Sequence, residues 1–482
     1  VPLVVLSFTL PLASAVASTS DTAQRGGEIR VTVSGVREHL TALQRIADRN
    51  SGNRFAGTSG YDASARYVAA RARAAGYRVR FQEFEFPLVV DRTPPTLRRP
   101  GSASDRYVAG RDFATLAYSG SGRAEAPVSA VDLLVPSPRA NASTSGCEAS
   151  DFRSFPRGNI ALLQRGTCTF REKIDNAIAA GAGAVVVFNE GGSGRRELVS
   201  ATLGPPQVGL PALAASFELG DDLRNGALDG PTGTNLVIAT DMVAEQRRTR
   251  NVIAESRTGN SANLVVVGAH LDSVQRGPGI NDNGSGSAVV LEIAEQLAKT
   301  RPRNRLRFVW WGAEELGLLG SRYYVGRLTP GARARHALYL NFDMVGSTNF
   351  ALFVYDGHST ASSGRLPPPP SGSAEVERTF TRYFAARGIP YRETGMGGSD
   401  HLSFAQAGIP IGGLFTGASE DKSAAEEASF GGRAGQPYDR CYHLPCDTVR
   451  NINPAALGRV AGAAMHAVRA FARDTSRVTR AR

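Results

Sequence analysis

Three short apolar runs in the second half of the chain each stop at residues able to bind a cation, and this repeat restricts the fold more than any other feature. Residues 263–268 read Asn-Leu-Val-Val-Val-Gly, the β-branched pattern of a strand buried on both faces, with His270 at its exit. Residues 307–311 form a second run with Glu314 and Glu315 beyond it, and residues 339–345 a third with Asp343 at its exit. Residues 287–297 have helical apolar spacing, so the first unit reads strand, ligand loop, helix. The pattern predicts an α/β fold with side chains of one chemistry gathered at strand ends.

A neutral imidazole at His270 can bind a divalent cation through one ring nitrogen. Asp272, two residues on and on the same side of an extended chain, can accept the proton of the other. Asp282 stands between Asn281 and Asn283 in a glycine-rich loop that can turn the carboxylate back toward the strand end, and its two oxygens can bridge two metals. Adjacent acids at a strand exit point in different directions, so one of Glu314 and Glu315 can be a ligand while the other is free as a general base. His443, after Cys441 and Tyr442, supplies another imidazole. Such a set is enough for two zinc sites sharing one carboxylate. Singly, each piece has an ordinary structural explanation; their order and strand-exit positions jointly favour a metal site. His39, His336, His358 and His466 have no acidic loop beside them and read as structural or surface residues.

The segments around these residues resemble the secreted bacterial leucine aminopeptidases of the co-catalytic zinc peptidase family, which also contains glutamate carboxypeptidases and glutaminyl cyclases. The resemblance covers residues 270–274, 279–284, 311–317 and 341–344, Ser399-Asp400-His401, Tyr442-His443, and residues 53–61 with the helix that follows. It implies a three-layer α/β/α fold with a central mixed sheet, two Zn2+ per chain, and peptide substrates with a free N-terminus. By the same resemblance His270 and Asp343 hold one zinc, Glu315 and His443 the other, Asp282 bridges them, Glu314 is the general base and Tyr442 hydrogen-bonds the oxyanion. Met344 and Phe415 match positions lining an apolar pocket for a large hydrophobic N-terminal residue. Gly398 departs from close relatives that carry a substrate-anchoring arginine there; Glu314 and Asp343 can still attract an α-amino group. The alternatives are a carboxypeptidase or dipeptidase on the same site, or a non-catalytic binding protein.

Residues 158–189 resemble a protease-associated (PA) domain, a β-rich module inserted in several peptidase families. The expected division is a signal peptide at 1–17, a peptidase part at 30–90, the inserted domain at 91–248, the catalytic part at 249–475 and a basic tail at 476–482. Residues 1–12 are apolar but too short to span a bilayer, and small residues follow them, as in a secretory leader. Export permits disulfides, and the four cysteines form two local pairs, Cys147 with Cys168 and Cys441 with Cys446. The formal charge of +11 comes from dispersed arginines without a nucleic-acid-binding signature, so neither nucleic acid nor stable membrane insertion is expected. The expected protein is a secreted monomer.

Overall fold

The valine-rich runs form the middle of one large sheet in the structure, a computed structural model that describes residues 30–101, 107–192, 195–199, 201–359, 368–395 and 397–481. The proposed leader at 1–17 lies outside the described residues. Thirteen strands are seen among them: β1 (Arg78–Arg98), β2 (Phe113–Thr115), β3 (Gly122–Ala130), β4 (Ile160–Gln164), β5 (Ala184–Phe188), β6 (Ala212–Ala215), β7 (Gly230–Glu255), β8 (Asn260–His270), β9 (Asn304–Trp311), β10 (His336–Phe342), β11 (Phe353–Tyr355), β12 (Arg392–Thr394) and β13 (Ile411–Phe415). The sheet order is β12-β11-β13-β10-β8-β9-β7-β3-β4-β5-β6-β2, with β1 paired to β7.

At its centre β13, β10, β8 and β9 run parallel. Their C-terminal ends therefore share one edge, where open α/β sheets place their sites. Both faces of these strands are covered. Val265, Val267, Phe308 and Leu340 face a core built with the helices α1 (Val33–Asp48) and α2 (Ser59–Ala74) and the buried helix Gly286–Leu297. Val266, Val309, Trp311, Tyr339 and Ile411 face a second, aromatic core around Phe404. The arrangement is the three-layer α/β/α fold. Continuous apolar strands are its sequence signature, because neither face of the sheet meets water.

The inserted domain has its own core, with Leu162, Val186 and Phe188 inside, and its strands β3 to β6 are parallel neighbours. Its expected limits, 91 and 248, fall inside regular structure: β1 and β7 pair antiparallel from Arg78↔Glu255 through Val90↔Val243 to Arg98↔Val237. Two long strands carry the chain out of the peptidase core and back, so composition changes there while the sheet continues. The expected basic tail is partly structured as well. Ser476–Arg480 forms a helical turn and Val478 is buried in the main core. Both expected disulfides are formed.

Candidate metal centre

Strand geometry gathers the proposed ligands on the sheet edge. His270 is the last residue of β8, Asp343 follows β10, and Glu314 and Glu315 lie in the loop after β9. Asp282 comes from the tight turn Ile280–Ser285 that leads into the helix Gly286–Leu297. Two glycines make that turn possible. Gly279 has φ 61°, and a Cβ on Gly286 would run into the carbonyl oxygen of Phe342.

His270 Nε2 lies 3.2 Å from Asp343 Oδ1 and 3.3 Å from Asp282 Oδ1. His443 Nε2 lies 3.1 Å from Asp282 Oδ2 and 3.2 Å from Glu315 Oε2. Asp282 thus turns one oxygen toward each imidazole. Two donors at about 2.0–2.1 Å from a zinc ion in tetrahedral geometry are about 3.3 Å apart, so these spacings fit a divalent cation. Glu315 Oε1 is buried without a hydrogen-bond partner, which a cation would supply. Glu314 stands further back, its Oε2 4.0 Å from His270 Nε2. Ala313 (φ 60°), Met344 (φ 47°) and His443 itself (φ 59°) adopt left-handed backbone at or beside these residues. Non-glycine residues are held in that conformation at a cost, and such strain concentrates at functional sites.

Asp272 does something other than expected. Its carboxylate accepts hydrogen bonds from the backbone N–H groups of Glu314 and Glu315, each at 3.2 Å. His270 Nδ1 instead meets the Asp272 carbonyl oxygen at 3.2 Å, while the carboxylate is 3.7 Å away. Two amides converge on the two oxygens, so the side chain positions the acidic loop, while it also lies beside the imidazole and helps to raise its pKa.

Six supporting residues were given no role from sequence. Arg54 is buried and donates to the carbonyl oxygens of Leu271, Pro278 and Gly279, tying the two ligand loops together. Burial lowers its pKa to about 10, with Asp272, Asp447, Asp282 and Glu315 opposing, so it stays charged at neutral pH. Asp447 accepts from the N–H groups of Asn281 (2.8 Å) and Asp282 (3.0 Å). It follows the Cys441–Cys446 disulfide, whose short loop also carries His443. Ser399 donates to Asp343 Oδ2 at 2.7 Å. Behind it Asn341 donates to Ser399, Tyr339 to Asn341 and Trp311 to Tyr339, at 3.0, 2.7 and 2.8 Å. Ligands fixed from behind in this way keep their orientation without relying on the cation.

Burial raises the Glu314 carboxyl well above the usual carboxylate range; His270 opposes this, and Asp400, Asp343 and Glu315 add to it. Burial alone would lower both imidazoles. At His270 the carboxylates of Asp343 and Glu314 reverse this and raise it well above its ordinary value, and at His443 Glu315 and Asp282 raise it to about 10. A cation entering the cluster therefore displaces protons, and its apparent affinity rises with pH. Burial, with Asp282 and Glu315, also holds the Tyr442 hydroxyl well above its ordinary pKa, so it stays a neutral donor. Its ring stacks on His443 with centroids 3.8 Å apart.

A cavity of about 410 Å³ opens onto the cluster. Met344 and Phe415 line it, together with Phe353, Tyr355, Ala418 and Tyr438. The remaining histidines stand apart from the cluster. His336 bonds Tyr324, while His39 lies beside Glu292 and Glu295, and His358 binds Glu377, acidic partners too distant in sequence to be seen as one loop.

Residues 251–468 match peptidase family M28, and residues 130–223 match the PA domain. An aminopeptidase of Pseudomonas aeruginosa (strain PAO1) is 45% identical over 428 residues, covering 88% of this chain and 78% of that protein. Leucine aminopeptidase 2 of Trichophyton rubrum is 41% identical over 336 residues, 69% of this chain and 66% of that protein. Among solved structures, BSAP, a zinc aminopeptidase from Bacillus subtilis, superimposes with a TM-score of 0.67 at 26% identity, covering 92% of this chain and 95% of that one. Cluster, fold and sequence agree, and the chain belongs to peptidase family M28 as a metallo-aminopeptidase with an inserted PA domain.

Proposed function

We propose that this enzyme releases large hydrophobic, leucine-like residues from the N-termini of peptides by hydrolysis at a site for two zinc ions. His270 and Asp343 would hold one ion, Glu315 and His443 the other, with Asp282 shared. The observation that carries this reading is the Asp282 carboxylate, with Oδ1 3.3 Å from His270 and Oδ2 3.1 Å from His443. When bound, the ions polarise the scissile carbonyl and acidify the attacking water. Glu314, set back from the donor spacing with its Oε2 4.0 Å from His270 Nε2, would take a proton from the attacking water and return it to the departing amine. Tyr442 donates its hydroxyl to the oxyanion that forms. Asp343 and Glu314 face the cavity and offer negative charge to the substrate's α-ammonium group, where Gly398 supplies no arginine.

The preference for a leucine-like residue is supported by Met344, Phe353 and Phe415 on the cavity wall and by the name of the Trichophyton relative. Zinc is supported by the two-imidazole, three-carboxylate donor set and by the description of the Bacillus structure. Secretion is supported by the apolar residues 1–12 and the two disulfides. No helix among the described residues is long and apolar enough to cross a membrane. The inserted domain is taken to span 91–248, wider than the matched 130–223, because the β1–β7 ribbon belongs to both parts.

The test is a pair of anilides. Leucyl anilide is expected to be cleaved and N-acetyl-leucyl anilide to be left intact, with cleavage abolished by a chelator and restored by zinc. Cleavage of the acetylated compound would overturn the aminopeptidase reading, and release from the C-terminus of a peptide would move the chain to the carboxypeptidase reading.

A further inference from the structure

A second group of cation-binding side chains lies where α1, α2 and the helix Gly286–Leu297 meet, and it shares no residue with the metal centre. His39 on α1 is 1% exposed, and its Nε2 has no hydrogen-bond partner among the described residues. That nitrogen lies 3.6 Å from Glu292 Oε2 and 3.8 Å from Glu295 Oε2. The two acids are three residues apart on the helix Gly286–Leu297, so one helical face presents both. The separations are too long for hydrogen bonds. They are close to the spacing of donors around a single zinc ion bound at about 2.0–2.1 Å, which is about 3.3 Å in tetrahedral and about 3.6 Å in trigonal geometry.

Each member is held from behind. His39 Nδ1 is 2.7 Å from the hydroxyl of Tyr67 on α2, which burial keeps neutral by raising its pKa to about 12. With its proton on Nδ1 and shared with that hydroxyl, the imidazole offers the Nε2 lone pair to a cation, as a metal-ligating histidine does. Gln296 donates to Glu292 Oε1 at 3.1 Å, and Oε2 is the oxygen that faces His39. Arg71 on α2 donates to both oxygens of Glu295, at 2.7 and 2.8 Å, and each oxygen keeps a second lone pair. Gly35 brings α1 close, since a Cβ there would run into the Glu292 carboxylate.

Charge favours a cation as well. Arg71 also pairs with Glu38 at 3.1 Å, so the carboxylates of Glu38, Glu292 and Glu295 stand against one guanidinium. With His39 neutral this leaves two negative charges in excess, which one divalent ion cancels. Glu295, 18% exposed, opens the group to solvent, the source of a fourth donor. We propose that His39, Glu292 and Glu295 form an additional, structural site for a divalent transition-metal ion such as zinc, tying α1 to the helix that follows the Asp282 turn. One imidazole and two carboxylates suit that ion. The neighbouring guanidinium weakens the site, so it fills after the metal centre. A protonated His39 held between two carboxylates is the competing account of the same geometry.

The test is zinc binding by the full-length protein, with bound metal and leucyl anilide hydrolysis followed together in wild type, Glu292→Gln and Glu295→Gln. Wild type is expected to bind one equivalent beyond those that complete its activity, and to melt at a higher temperature as that equivalent binds. In each variant the affinity for this last equivalent is expected to fall at least a hundredfold, while kcat/KM stays within twofold of wild type. Glutamine preserves the side-chain shape, and the partly exposed Glu295 decides the matter should buried Glu292 not tolerate the change. A wild type that binds no zinc beyond the activity-completing equivalents would overturn the proposal in favour of the protonated histidine. A further equivalent that both variants retain with wild-type affinity would overturn it too, since that ion sits elsewhere. Failure of the aminopeptidase reading looks different: no anilide is hydrolysed, yet each variant still binds one zinc fewer than wild type.

Discussion

Replacing Glu314 by glutamine is expected to lower kcat on leucyl anilide by about a thousandfold, within the range general-base catalysis supplies, while the zinc content stays at the wild-type level. The separation of the two effects comes from position. Asp282, Asp343 and Glu315 approach an imidazole nitrogen to 3.1–3.3 Å, the spacing of donors around one ion, whereas Glu314 remains 4.0 Å from His270. Its backbone N–H is held by Asp272, and glutamine keeps both that bond and the side-chain shape. What glutamine removes is the ability to take a proton from water. Turnover measured beside metal analysis of the same sample decides the matter. If zinc is lost with activity, Glu314 is a ligand; if activity survives, another group is the base.

Asp282→Ala is expected to remove activity to below detection and, unlike the Glu314 variant, to lower zinc content as well. Its two oxygens face two imidazoles, so one truncation takes a donor from both positions. The loss should exceed the roughly 10–100-fold weakening that follows from removing an outer partner such as the Asp447 carboxylate. Zinc titration of the apo variant followed by leucyl anilide assay gives both quantities. An Asp282→Ala protein that binds two ions with wild-type affinity would contradict the shared-ligand assignment.

Much of this site was legible because parallel strands buried on both faces must be continuously apolar, which makes a polar residue at a strand end conspicuous. His270 and Asp343 are visible for that reason, and Glu314 and Glu315 for their place after the second run. The supporting residues were not legible. Arg54 meets the ligand loops across 217 to 225 positions, and Asp447 meets Asp282 across 165; no local pattern connects such pairs. Asp447 left a faint signal, one residue beyond the cysteine that closes the loop of His443. Asp272 shows the limit of periodicity: alternation placed it on the correct side, and the choice between an imidazole and two amide groups was decided by the path of the β9 loop. The limits of the inserted domain were blurred because β1 and β7 change environment, from peptidase core to inserted domain, without changing conformation.

The central claim is that His270, Asp282, Glu315, Asp343 and His443 hold two ions that work together. The most direct measurement is titration of the metal-free protein with zinc, following bound metal and leucyl anilide hydrolysis in the same samples. Two equivalents bound per chain, with full activity reached only at the second, is the expected result. Saturation at one equivalent with full activity, or two bound equivalents without hydrolysis, would contradict it.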